Sequence, residues 1–214
     1  MSEHTHTREQ FTAEFWDERY RSAHSLWSGN PNPHLIAEAG DLAPGAALDA
    51  GAGEGADAIW LARRGWRVTA IDVSAVALER AAGHAAAAGG EIAGRIQWRR
   101  EDLLAWQPPE RAYDLVSAQF LHLPAGIRQQ VFARLAAAVA SGGTLLIVGH
   151  HPADLETTMP RPNQPELFFT GGELASGLGG EWEVVTNVAA AREATDPEGR
   201  PVTIHDTVFR ARRA

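Results

Sequence analysis

The apolar positions change their period several times along the chain. Phe11, Phe15, Trp16, Arg19 and Tyr20 recur at helical spacing, which predicts a first helix with Thr12 as its N-cap. Ser28-Gly29-Asn30-Pro31-Asn32-Pro33 is a turn-rich break. A second helix is predicted from Pro33 to Asp41, stopped by Leu42-Ala43-Pro44-Gly45. Beyond it, short apolar runs alternate with alanine- and leucine-containing stretches. Ala46 to Ala50 reads as a buried strand, Ala56 to Arg64 as a helix ended by Gly65, and Trp66 to Ile71 as a strand with β-branched Val68, Thr69 and Ile71. Ser74 caps a helix running to Ala88 and ended by Gly89-Gly90. Strands at Arg95 to Arg100, Tyr113 to Ala118 and Thr144 to Val148 follow, with a helix from Pro124 to Ala140 before the last of them. Repeated strand–helix units predict an α/β chain, doubly wound, with a parallel sheet covered on both faces.

The pattern then breaks. Gly149 to Thr170 is polar and carries Pro152, Pro160, Pro162 and Pro165; a loop of that length in a compact domain is commonly a functional lid. A short helix is expected at Gly172 to Leu178. Glu181 to Val188 and Val202 to Arg210 are β-rich runs around the turn cluster Asp196-Pro197-Glu198-Gly199-Arg200, which predicts an antiparallel hairpin closing the sheet.

Composition narrows the chemistry. The 214 residues include no cysteine, and all 19 basic residues are arginine. Disulfides, thiolate nucleophiles and thiolate metal sites are excluded, as are Schiff-base lysines and the lysine of a P-loop. A net charge of −8 argues against nucleic-acid binding. The Arg63, Arg64 and Arg67 cluster beside an apolar run reads as a solvated helix end. No apolar stretch reaches membrane-spanning length, and Met1 to Gln10 lacks a signal-like apolar segment, so the expectation is a cytoplasmic protein without membrane contact. Residues 1–10 are expected to be a flexible tail. Ser2-Glu3-His4 has the form of a terminal copper or nickel chelate only if Met1 is removed.

The sharpest local signal is Leu48-Asp49-Ala50-Gly51-Ala52-Gly53-Glu54-Gly55, between the first predicted strand and its helix. Glycines there permit a tight turn and close approach of a ligand to bare backbone. Asp72 ends the next strand 21 residues after Gly51, where a carboxylate can accept hydrogen bonds from ribose hydroxyls. Gly51, Gly53 and Ala56 also satisfy the dinucleotide fingerprint, so an NAD(P)-dependent oxidoreductase is a rival reading. Glu54 would repel a pyrophosphate, Asp49 could attract an ammonium, and Glu101-Asp102-Leu103 adds another acid at the strand ends. These favour a cationic adenosine ligand without phosphates. Trp27 is the best aromatic candidate for a lid on such a ligand, because a cation is drawn to an aromatic face. Packing explains Trp16 and Tyr20 equally well, and packing or solvent contact suffices for the other tryptophans.

On these residues, with Val68 to Ser74, Tyr113-Asp114-Leu115-Val116 and Gly142 to Leu146, the chain resembles class I S-adenosylmethionine-dependent methyltransferases. Phe15-Trp16-Asp17-Glu18-Arg19-Tyr20 and Leu26 to Asn32 are similar to the small-molecule type found among tellurite-resistance and thiopurine methyltransferases. The resemblance implies a Rossmann-like, mostly parallel seven-stranded sheet with an antiparallel last strand and an N-terminal helical cap. It implies S-adenosyl-L-methionine as cofactor and a small-molecule O, N or S acceptor. By position, Gly51, Gly53 and Gly55 would lie under the methionine part and Asp49 would face its amino group. Asp72 would hold the ribose, Val73 would flank the adenine, Asp102 and Leu103 would meet the adenine edge, and Gln119 would lie near the sulfonium. Helix capping is the ordinary alternative for Asp72 and Asp102.

The expected arrangement is one methyltransferase domain over 1–214: the tail 1–10, a helical cap at 11–45, a cofactor-binding core at 46–149, a substrate lid region at 150–180 and a C-terminal β-hairpin at 181–214. A monomer or homodimer is expected. Protic acceptors need a base, and imidazole suits that near neutral pH. His122, His150 and His151 follow predicted strands and are the catalytic candidates; His205, beside Asp206, depends on the hairpin register. A metal held by His150, His151 and Asp154 would need a turn between adjacent histidines, so no metal is expected. Phe120, Phe168 and Phe169 near the expected mouth suggest an aromatic or apolar acceptor, with core packing the alternative for Phe120. A non-catalytic cofactor-binding scaffold of the same fold is the second alternative.

Overall fold

The computed structural model describes residues 11–162 and 164–214. The expected tail, with Ser2-Glu3-His4, lies outside the described residues. The chain divides into two compact units, Met1–Gln107 and Pro108–Ala214. The first carries α1 (Ala13–Arg21), α2 (Pro33–Ala39), β1 (Ala46–Ala50), α3 (Ala56–Arg63), β2 (Arg67–Asp72), α4 (Ala75–Ala88), α5 (Gly90–Ala93) and β3 (Ile96–Arg100). The second carries β4 (Tyr113–Gln119), α6 (Ala125–Ala137), β5 (Val139–His150), two 3-10 turns (Pro152–Glu156 and Pro165–Leu167), α7 (Gly171–Ser176), β6 (Trp182–Thr195) and β7 (Pro201–Arg213). Seven strands form a mixed sheet in the order β3-β2-β1-β4-β5-β7-β6.

In the first unit β1 and β2, and β2 and β3, pair in parallel. Leu48, Ala50, Leu61, Ala70 and Ile71 are fully buried, and burying a Leu or Ile side chain is worth about 1.5–3 kcal/mol. Three of the five helices described in this unit start on a side-chain cap. Thr12 accepts from the Phe15 N–H, Asn32 from the His34 N–H and Ser74 from the Ala77 N–H. The four-residue helix α5 was not expected, because Gly89-Gly90 was read only as a terminator. Trp66 is core, at 1% exposure.

In the second unit β4 pairs in parallel with β5, while β7 runs antiparallel to both β5 and β6. The near-continuous burial of Leu115 to Ala118 and Leu145 to Val148 is that of strands covered on both faces. Strand β5 starts at Val139, five residues earlier than expected, and α6 ends at Ala137 rather than Ala140. The Ser141-Gly142-Gly143 segment is therefore an irregularity inside the strand and does not end the helix. Gly142 has φ +75°, and a Cβ on Gly143 would lie 2.9 Å from the Ala140 oxygen. The hairpin strands extend to 14 and 13 residues, well beyond the runs their apolar pattern marks.

Candidate active site

The loop between β1 and α3 is built for close backbone approach. Gly51, Gly53 and Gly55 have φ of +79°, +53° and +86°, a region in which glycine is free of the Cβ penalty. The Gly51 and Ala52 N–H groups donate to the Ile71 carbonyl, each at 2.9 Å, binding the loop to β2. Asp72 completes the attachment: Oδ2 accepts from the Gly53 N–H and Oδ1 from the Ser74 N–H, both at 2.9 Å. Asp72 is thus a loop and helix-start anchor whatever else it holds.

Asp49 lies beneath this loop at 2% exposure, and its Oδ2 has no hydrogen-bond partner among the described residues. Burial pushes its carboxyl well above the ordinary range, and the neighbouring Asp57 and Asp72 carboxylates push it further. Burial also raises Asp57, to about 6, although its Oδ1 accepts the Asn32 N–H at 2.6 Å. Asp72 is raised by burial too, against the pull of its backbone donors. Three carboxylates in low-dielectric surroundings with an unpaired oxygen make a well for a cation and a hostile place for a pyrophosphate. The sequence reading missed Asp57. Its only signal was an acid in the first turn of α3, ordinarily a helix-dipole partner.

These raised values set a pH dependence. The folded chain holds protons that the unfolded chain has released above about pH 4, so their contribution to stability falls as pH rises through about 6. A bound cation reverses the preference and expels those protons. Binding of S-adenosylmethionine should therefore tighten by about tenfold between pH 5 and pH 7.5 and release protons. Calorimetry in buffers of different ionisation enthalpy measures both; affinity that is flat or falls with pH refutes the linkage.

The Glu54 carboxylate is engaged by the protein itself. At 6% exposure, its Oε2 accepts the Leu26 and Trp27 N–H groups at 3.1 and 3.2 Å, and its Oε1 pairs with Arg80 at 2.9 Å. Arg80 also donates to the carbonyls of Tyr20 and Ala23. The segment after α1 is thereby strapped to the glycine loop. Trp27 is half exposed, donates from Nε1 to the Tyr20 hydroxyl at 3.0 Å, and stands 3.4 Å from where a Gly53 Cβ would be. That places an indole beside the loop. Tyr20 is buried, and burial raises its hydroxyl pKa above the usual range. Asp17 on α1 accepts the Ser74 hydroxyl at 2.6 Å, tying the same helix to the start of α4.

The remaining cofactor candidates of this unit are less committed. Asp102 is exposed, and its Oδ1 accepts the Leu104 N–H at 2.8 Å, which is a local cap. Leu103 and Val73 are half-buried, and the Val73 carbonyl accepts from Arg100 Nε. In the second unit, Gln119 donates to the Ser117 hydroxyl, while its Oε1 is buried without a partner among the described residues.

The second unit gathers the histidines at the carboxyl ends of β4 and β5. His122 and His150 stack with centroids 4.5 Å apart and planes at 17°. The His150 N–H donates to His122 Nε2 at 3.2 Å, so the lone pair of that nitrogen is engaged. Burial, then the neighbouring His150 and Arg161, lower the His122 pKa to about 3. It is a neutral ring near neutral pH. Phe120 has φ +53°, a sparsely populated conformation for a non-glycine residue, and its ring centroid lies 5.0 Å from that of His150. The Phe168 ring is 6.0 Å away on another side. Phe169 is core instead, fully buried against Phe132 with Arg128 over its face.

His151 Nδ1 accepts the Ala153 N–H at the start of the first 3-10 turn. Asp154, at 0% exposure, accepts from Arg161 Nε and Nη2 and from the His205 N–H. The segment after β5 is therefore anchored through a buried carboxylate. Among the described residues, no group of three or more His, Cys, Asp or Glu side chains is arranged to hold a metal ion.

Residues 47–143 match the family model described as a methyltransferase domain. No curated protein sequence matches the chain significantly. Three solved structures illustrate the shared fold. One comes from work on conversion of a disulfide bond into a thioacetal group during echinomycin biosynthesis; it is 24% identical, with 94% of this chain and 91% of that one covered and a TM-score of 0.72. TehB from Haemophilus influenzae is 19% identical over 94% and 67% of the two chains, with a TM-score of 0.69. The 1,6-didemethyltoxoflavin N1-methyltransferase of Burkholderia thailandensis, solved with 1,6-didemethyltoxoflavin and S-adenosylhomocysteine bound, is 22% identical over 98% and 90%, with a TM-score of 0.65.

Proposed function

We propose that the chain, whose residues 47–143 match a methyltransferase-domain model, is an S-adenosylmethionine-dependent methyltransferase that methylates a small-molecule O, N or S acceptor. The observation that carries the cofactor assignment is the buried Asp49 oxygen without a partner, set among three carboxylates under a glycine loop. An ammonium suits that oxygen, and a positively charged ligand relieves the mutual repulsion of the three acids. When bound, S-adenosylmethionine supplies an activated methyl carbon.

The chain's own residues supply position and exclusion of water. Gly51, Gly53 and Gly55 admit the ligand to the backbone. Asp49 orients its amino group, Asp72 its ribose, and Trp27 covers it. Val73, Leu103 and Asp102 serve the adenine, Gln119 offers its spare oxygen near the sulfonium, and His122, His150 and His151 serve the acceptor. A small acceptor accords with the toxoflavin-precursor methyltransferase, whose named substrate is a small molecule.

Incubation with isotopically labelled S-adenosylmethionine and a metabolite extract should label one or a few small products. Calorimetry should show binding in the micromolar range usual for enzyme ligands. Failure to bind the cofactor sinks the assignment, and binding without labelling any extract leaves the scaffold alternative standing in its place.

A further inference from the structure

The hairpin register sets His150 directly opposite Asp206 across β5 and β7, so both side chains leave the same face of the sheet. His150 Nδ1 stands 3.7 Å from Asp206 Oδ1, is buried, and makes no hydrogen bond among the described residues. Asp206 is 1% exposed, and its other oxygen accepts from Arg192 Nε at 2.7 Å. A contraction of under an ångström, within ordinary side-chain motion, closes the imidazole–carboxylate hydrogen bond. With Nδ1–H directed at the carboxylate, the lone pair is left on Nε2.

We infer that His150 is the base that takes the proton of the acceptor, that Asp206 is its positioning residue, and that the acceptor's nucleophilic atom therefore carries a hydrogen. This rests on the methyltransferase reading and narrows it to phenols, enols or heteroaromatic N–H groups, as against thioethers and tertiary amines.

His122 and His151 each have a ring nitrogen committed elsewhere. His122 gives its Nε2 lone pair to the His150 N–H, and His151 gives its Nδ1 lone pair to the Ala153 N–H. His205 lies 3.7 Å from Asp154, but that carboxylate already accepts two bonds from Arg161 and one from the His205 backbone. His205 Nδ1 is likewise unbonded among the described residues, but its Asp154 is held by Arg161 and a backbone N–H; of the four, His150 is the one whose unbonded Nδ1 faces a buried carboxylate directly across the strand register. Its surroundings suit the work. Phe120 and Phe168 flank the ring, and the stacked His122 is neutral, so an imidazolium at His150 meets no like charge from that ring. The step balances. The acceptor's bond to hydrogen breaks as its bond to the methyl carbon forms, the carbon–sulfur electron pair stays with sulfur, and the proton passes to His150 Nε2. Asp206 orients and stabilises the imidazolium without being protonated itself.

The test uses the full chain, labelled S-adenosylmethionine, and a panel of small phenols and N–H azoles set against dimethyl sulfide and trimethylamine. Label should enter protic members only. His150→Ala should lower kcat on them by roughly 10²–10⁴-fold, the usual span for general base catalysis, with cofactor affinity within about twofold. Added imidazole should restore part of the rate. Asp206→Asn should lower kcat more than it changes KM. The His150→Ala/Asp206→Asn double variant should be no slower than His150→Ala, because residues acting as a unit are not additive. His150→Gln serves if the alanine variant does not fold. A wild-type chain that does not bind S-adenosylmethionine removes the methyltransferase reading and this one with it. Cofactor binding and turnover that survive His150→Ala and His150→Gln, additive losses in the double variant, or label confined to the aprotic acceptors overturn this inference alone.

Discussion

Asp72→Ala will weaken S-adenosylmethionine binding by about 100-fold or more, equivalent to about 2.7 kcal/mol. The expectation does not rest on the ribose contact alone. The Asp72 carboxylate holds the Gly53 N–H and the Ser74 N–H at once, and hydrogen bonds to a charged group are worth about 1.5–3 kcal/mol each. Removing it frees a loop whose glycines are set in left-handed conformations, so a ligand would have to pay for reordering it. The effect on the folded chain without ligand is smaller, because one buried negative charge is also removed from beside Asp49. Calorimetry and thermal unfolding together separate the two contributions. Unchanged affinity would remove Asp72 from the cofactor site, whatever happened to stability.

Gly55→Ala is the second large effect, and it falls on the fold. A Cβ there would lie 2.6 Å from Trp98 Cη2 and 2.8 Å from Ala81 Cβ, on a residue with φ +86°. The left-handed conformation costs a non-glycine residue about 1–2 kcal/mol, and overpacking adds about 1–3 kcal/mol. The Trp98 ring end can shift, but Ala81 belongs to α4 and yields only if the helix moves. For a chain of this size, a loss of about 2–5 kcal/mol lowers Tm by roughly 5–15 °C, read by calorimetric melting. A change under about 2 °C would show that the loop and α4 are not packed in this way. Gly53→Ala differs in kind: its Cβ meets the Tyr20 hydroxyl at 3.0 Å and Trp27, so it acts on the strap.

What was legible in the sequence was local. The strand–glycine turn–helix unit and Asp72 lie within about 25 residues, and their order alone announces a nucleoside site. Ser74, Thr12 and Asn32 announce their own helix starts for the same reason. Asp206 is the opposite case. It sits beside His205 in the sequence, and only the β5–β7 register shows that it faces His150 while His205 approaches Asp154. Glu54 was read for the charge it would bring to a ligand; its partners, the Leu26 and Trp27 amides and Arg80, lie 26 to 28 residues away in the chain. Asp57 carried the ordinary appearance of a helix-start acid, and its contact with Asn32 spans 25 residues. Tertiary partners of polar side chains leave no periodicity to read.

The strap also changes where the first unit can be said to begin. Glu54, Asp57, Arg80 and Ser74 all belong to the glycine loop and its following elements, yet each spends hydrogen bonds on residues 17 to 32. A shortened chain starting at Ala46 would keep every strand and every glycine of the unit. It would also leave the Glu54–Arg80 pair without its amide and carbonyl partners, and Asp57 without its only backbone donor among the described residues. The boundary at residue 45 drawn from the change of periodicity is thus a change of secondary structure only. In terms of what can be cut away, the helical cap and the strand–helix core are one piece.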